Sequence, residues 1–145
     1  MTPDARGDDR DDRLRRLRAR ATGGFLIAAV LIAFGGTVLL TQLRTAPGLA
    51  PLGVTFAALG LCALLVGGLS LSASRRRPDA LPLTGVLILI RLVLYAVAVG
   101  GGIAALTSGL TIVPALGTAL LGLLAAFVVD LVAAGVLRDI RRQRA

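Results

Sequence analysis

Three long stretches of this sequence carry no charge at all. Between Arg20 and Arg44 there are 23 uncharged residues, between Arg44 and Arg75 there are 30, and between Arg91 and Asp130 there are 38. A helix needs about 20 predominantly apolar residues to cross the hydrocarbon core of a bilayer. Runs of this length therefore read as membrane spans, and the 56% apolar content of the 145 residues agrees. The expected fold is an all-α membrane protein of four transmembrane helices in an antiparallel up-down bundle. The spans are placed at about 23–43, 51–73, 82–106 and 114–137. A polar N-terminal tail (1–22) precedes this four-span membrane domain (23–138), and a short basic tail (139–145) follows it.

Prolines and charges punctuate the pattern. Pro51, Pro82 and Pro114 fall near expected helix starts, where a missing N–H costs little. Pro47 and Gly48 mark the first loop, Arg75-Arg76-Arg77-Pro78-Asp79 the second, and the uncharged stretch Thr107–Val113 the third. The N-terminal tail holds seven Arg, the second loop three and the C-terminal tail four, against one (Arg44) and none in the two opposite loops. By the positive-inside rule both termini face the cytoplasm of a multi-pass protein of the cell inner (plasma) membrane. The first span is too long for a signal peptide, and no small-x-small cleavage site follows it. Within the N-terminal tail, acids (Asp4, Asp8, Asp9, Asp11, Asp12) precede bases (Arg13 to Arg20), an order that suits a helix dipole over 9–21. Leu14, Leu17 and Ala21 recur at helical spacing, so a surface-lying helix and a disordered tail both remain open.

Several function classes are set aside by what the sequence lacks. There is no His, Glu, Lys, Asn or Trp, and the single Cys62 sits in an apolar run as a small packing residue. A zinc site and a His-based triad are unavailable. No Walker loop, GxGxxG or CxxC motif is present. No cofactor or metal site is expected, and an enzyme is not. The net charge of +8 comes from Arg flanking apolar spans, which reads as a topology signal rather than a nucleic-acid surface.

Lipid supplies no hydrophobic drive between helices, so small residues mark close approach. Gly53, Ala57, Gly60 and Gly67 line one face of the second span. Ala98, Gly102 and Ala105 line one of the third; Ala115, Ala119, Gly122, Ala126 and Ala133 line one of the fourth. Each face serves either packing within the bundle or docking of another membrane helix. Arg91 and Asp130 are the only charges expected inside spans. Arg91 lies nine residues after Pro82 and Asp130 eight before Arg138, so both sit about 12–14 Å from the cytoplasmic end of antiparallel neighbours. An Arg91–Asp130 ion pair is expected, with Tyr95 one turn away as a hydrogen-bond partner. Either charge alone at membrane depth would cost about 2.5–3.5 kcal/mol on insertion scales.

The segment Leu87-Ile88-Leu89-Ile90-Arg91-Leu92-Val93-Leu94-Tyr95-Ala96-Val97 resembles the third span of the ATP synthase protein I family. The Gly-rich second span Gly53–Gly68, with the serines after it and then Arg75-Arg76-Arg77, is similar to that family too. The resemblance covers about 13–137. It implies a small accessory membrane protein of the F-type ATP synthase that assists rotor c-ring assembly, a role in cation transport also having been suggested for the family. Arg91 and the Gly53/Gly60/Gly67 face have counterparts there; Asp130 is read from this sequence alone. An Asn often found in the family's second span is missing here. The expected partners are the lipid bilayer, ATP synthase membrane subunits and a second copy in a homo-oligomer. Two alternatives belong to other classes: a small oligomeric ion or solute transporter or channel using Asp130, and a holin-like or other structural membrane protein. Small multidrug transporters need an acid in the first span, and 23–43 has none.

Overall fold

The structure, a computed structural model, describes residues 5–45, 49–75 and 83–144. They form four helices: α1 (Ala5–Thr45), α2 (Ala50–Arg75), α3 (Leu83–Thr107) and α4 (Ile112–Arg144). All four are long and apolar enough to span a bilayer. The chain is an all-α integral membrane protein whose helices pack as an up-down bundle. Helix is the expected answer in lipid, where every backbone N–H and C=O must be satisfied within its own segment. Pro51 and Pro114 both sit in the first turn of their helices, where they interrupt no backbone bond.

Helix α3 ends on a turn that the sequence encodes locally. The amide of Ser108 donates to the Ala104 carbonyl at 3.0 Å and that of Gly109 to Leu106 at 3.3 Å. Gly109 has φ +82°, a left-handed conformation that glycine adopts without steric penalty. The Ser108 hydroxyl adds a 2.7 Å bond to the same Ala104 carbonyl. Ala115 N then donates to Thr111 O at 3.2 Å, opening α4.

The helices differ in length, and this shapes the molecule. α2 and α3 have 26 and 25 residues, about 38 Å each at 1.5 Å per residue, enough for the hydrocarbon core of about 30 Å with a short margin. α1 has 41 residues and α4 has 33, about 60 Å and 50 Å. Both overrun the bilayer at the end that carries the termini. Of the two forms open to the polar tail, residues 5–22 take the helical one, and they run without interruption into the first span as the first turns of α1. The reason lies in one uninterrupted stripe. Leu14 is half-buried, and Leu17, Ala21, Gly24, Ala28, Leu31 and Gly35 are buried, at alternating steps of three and four. That is the seam of a left-handed helix pair, and it starts well before the apolar run does.

Gly53, Phe56, Gly60, Ala63, Gly67 and Ser70 form the matching buried stripe on α2. Backbones meet there. A Cβ added at Gly35 would stand 2.7 Å from both Ala57 N and Gly53 O, and one at Gly24 would stand 3.1 Å from Gly67 Cα. The Ser70 hydroxyl closes the far end by donating to Leu17 O at 3.0 Å. α3 packs on α4, α2 lies against both, and α1 also touches α4, so α2 and α4 form the short diagonal of the bundle. Leu59, Val66, Leu87, Leu94, Val129 and Val136 fill the centre. Leu26, Val30, Leu61, Leu65, Leu120 and Leu124 point outward, where acyl chains rather than water must cover them.

Candidate functional site

Arg91 sits eight residues into α3, about 12 Å from its start. Asp130 comes from α4, which runs the other way and reaches the same depth. Arg91 Nε donates to Asp130 Oδ1, and Nη2 donates to Oδ2 at 3.1 Å. This is the two-pronged geometry that a guanidinium fork makes with a carboxylate. Tyr95, one turn after Arg91, donates its hydroxyl to the same Oδ2 at 3.3 Å. Both carboxylate oxygens are therefore engaged.

The three groups are not equally enclosed. Asp130 is 7% exposed, whereas Tyr95 is 38% exposed and the Arg91 side chain 37%. The acid is sealed inside the bundle, and its two donors stand at the outer surface of α3. They border an open groove of about 470 Å³ that also touches Gly85, Ile88, Leu89 and Leu92. A net-neutral cluster of this kind avoids an uncompensated charge in lipid. Its outer half still places guanidinium N–H groups and the Tyr95 oxygen on a surface otherwise built of Leu, Ile and Val.

The small-residue faces are largely occupied within the chain. Gly53, Gly60 and Gly67 are buried, Ala57 is half-buried, and all four meet α1. The sequence reading had not matched this face to Gly24 and Gly35, which are its counterparts. Gly102 packs on Ala119, a Cβ there being 2.8 Å from the Ala119 Cβ. Gly122 lies against Ala98 and the Thr55 methyl, with Cβ contacts of 3.6 and 3.5 Å. Gly101, which adjoins the expected face of α3, leaves room for Thr55, whose Oγ1 would stand 2.1 Å from an added Cβ. The buried Thr55 satisfies its hydroxyl on Pro51 O at 2.6 Å. Ala126 is fully buried.

A second bridge escaped the sequence reading. Arg20 of α1 pairs with Asp139 of α4, and its Nη1 also donates to the Gly135 carbonyl. Gly135 permits this, since a Cβ there would lie 3.0 Å from Arg20 Cζ. Asp139 is the only acid after residue 130 and stands among four Arg; that isolation was the available signal. Among the described residues no group of three His, Cys, Asp or Glu side chains gathers at one place. Cys62 is buried and free. No family model, curated protein or solved structure matches the chain.

Proposed function

We propose that this chain is a small, non-enzymatic accessory protein of the cell inner membrane that docks another membrane protein along the outer face of α3. The observation that carries the reading is the position of Arg91 and Tyr95. Both are half-exposed at a groove well inside a membrane span, where polar groups facing acyl chains are unfavourable. A neighbouring helix with a hydrogen-bond acceptor at that depth would take the guanidinium N–H groups that Asp130 leaves over, and a donor there could reach the Tyr95 oxygen. The Gly face of α2, the other docking candidate in the sequence, is filled by α1. Arg distribution supports cytoplasmic termini.

The resemblance of 87–97 to the ATP synthase protein I family makes the membrane subunits of the F-type ATP synthase the first partner to test, with assembly of the c-ring as the process served. The engaged carboxylate of Asp130 weighs against a transporter built on that residue, because Arg91 would have to leave before a cation could bind.

Affinity capture of the tagged protein from its native membranes in mild detergent, followed by mass spectrometry, tests this. Enrichment of ATP synthase membrane subunits over an unrelated four-span control is the expected result. If those subunits stay at control level even after cross-linking, the ATP synthase assignment falls. Asp130-dependent flux by the protein reconstituted alone would replace it with the transporter.

A further inference from the structure

Arginines on two helices ring the end of the bundle where α1 begins and α4 finishes. Arg15 and Arg18 on α1 and Arg138, Arg141 and Arg142 on α4 are all exposed. Their helices are held side by side by the Arg20–Asp139 bridge, so the two sets belong to one end of one body. The bridge also fixes their heights relative to one another. Arg15 and Arg18 lie two to five residues beyond Arg20, about 3–8 Å along the axis, and Arg141 and Arg142 lie about 3–5 Å beyond Asp139. The headgroup layer on one side of a bilayer is about 5–8 Å deep. With the bridge at the inner edge of that layer, Arg15, Arg18, Arg141 and Arg142 fall within it and Arg138, one residue before Asp139, lies at its boundary.

Among the described residues, acids are sorted out of that layer. Asp139 is consumed by Arg20. Asp11 and Asp12 stand eight to nine residues beyond Arg20, about 12–14 Å out, and Asp12 pairs loosely with Arg16 at 3.8 Å. The height profile is basic at the headgroups and acidic beyond them, which complements a negatively charged leaflet and not a neutral one.

We infer that this arginine collar, built from Arg15, Arg18, Arg138, Arg141 and Arg142, is a binding surface for anionic phospholipid headgroups. The guanidinium forks would take lipid phosphates in two-pronged contacts, and the bound lipids would form an annulus around α1 and α4. This rests on the membrane assignment of the four helices and is independent of the accessory role, so either can fail without the other.

The test uses the full chain in nanodiscs of equimolar phosphatidylglycerol and phosphatidylcholine, with native mass spectrometry of the lipids that stay bound on release. The wild type should retain phosphatidylglycerol over phosphatidylcholine about threefold or more. Changing the five arginines to Gln together should bring the ratio to parity, and changing them to Lys should keep most of the preference. Raising salt from about 0.05 M to about 1 M should erase it in the wild type, which tests the idea even if the Gln variant does not fold. Parity in the wild type, a preference that survives salt, or one that survives in a folded Gln variant would each overturn the inference. So would retention of a single-stranded oligonucleotide in place of the anionic lipid, which would make the collar a nucleic-acid surface.

Discussion

Asp130 and Asp139 stand nine residues apart on α4 and serve opposite neighbours: Asp130 binds Arg91 of α3, and Asp139 binds Arg20 of α1. Nine residues at about 100° each is two and a half turns, so the two carboxylates leave α4 on opposite sides. They are separated by about 13 Å along the axis, one inside the hydrocarbon region and one at its edge. α4 is thereby clamped from both flanks at two heights, which fixes its rotation and register in a bundle otherwise held by small apolar contacts.

The inner clamp should behave as a unit. Arg91→Met or Asp130→Leu alone leaves one charge unpaired at membrane depth and should destabilise by about 2–4 kcal/mol. The double variant should recover much of that loss, because it removes both charges together. Thermal melting of all four proteins in one detergent checks this. Simple additivity of the two single effects would show that Arg91 and Asp130 do not depend on each other.

Tyr95 contributes only the third hydrogen bond to Asp130. Tyr95→Phe should cost about 0.5–1.5 kcal/mol and leave the Arg91–Asp130 fork in place. The same melting assay reads it, and a loss as large as that of Asp130→Leu would mean that the hydroxyl, not the fork, holds the acid.

The α1–α2 seam has no slack at Gly35. Its added Cβ would meet the backbone of Ala57 and Gly53 rather than a side chain that can turn away. Gly35→Ala should therefore destabilise by about 1–3 kcal/mol, and Gly35→Leu by more. Gly36→Ala, one residue on and facing open space, should be neutral or stabilising by up to about 1 kcal/mol from helix propensity. The pair is read by unfolding in the same detergent; equal effects at the two positions would remove the seam from the account.

At the outer clamp the effect should be local. Arg20→Gln, Asp139→Asn and Gly135→Leu each disrupt the tie between α1 and α4. Partly exposed bridges contribute about 0–1 kcal/mol, so global stability should move little. Hydrogen exchange of residues 5–20 should nevertheless rise, because this tie and the Ser70–Leu17 bond dock the protruding turns. Unchanged exchange in all three variants would show that these turns need no such tie.

The uncharged runs made the spans legible, since a backbone in lipid has few options besides helix. Arg91 and Asp130 were legible because charge inside a span is rare and antiparallel helices convert sequence offset into depth. Much of the rest was hidden by composition. Residues 5–20 look like a solvated tail because only Leu14, Leu17 and the following Ala21 mark the seam among Asp and Arg. Arg20 and Asp139 each read as one more tail charge until the two helices are seen to continue side by side. The Gly face of α2 was visible, but which helix fills it is decided by Gly24 and Gly35, whose role depends on α1 lying along α2 in one particular register.

The proposed docking face is open to a direct measurement. A photoreactive amino acid placed at Leu92, which is outward-facing in the Arg91–Tyr95 groove, should cross-link in native membranes to a defined partner, with ATP synthase membrane subunits expected. The same probe at Leu120, outward-facing on α4 and away from the groove, should capture lipid or nothing defined. Equal labelling from both positions, or lipid alone from Leu92, would contradict the claim that α3 carries the interface.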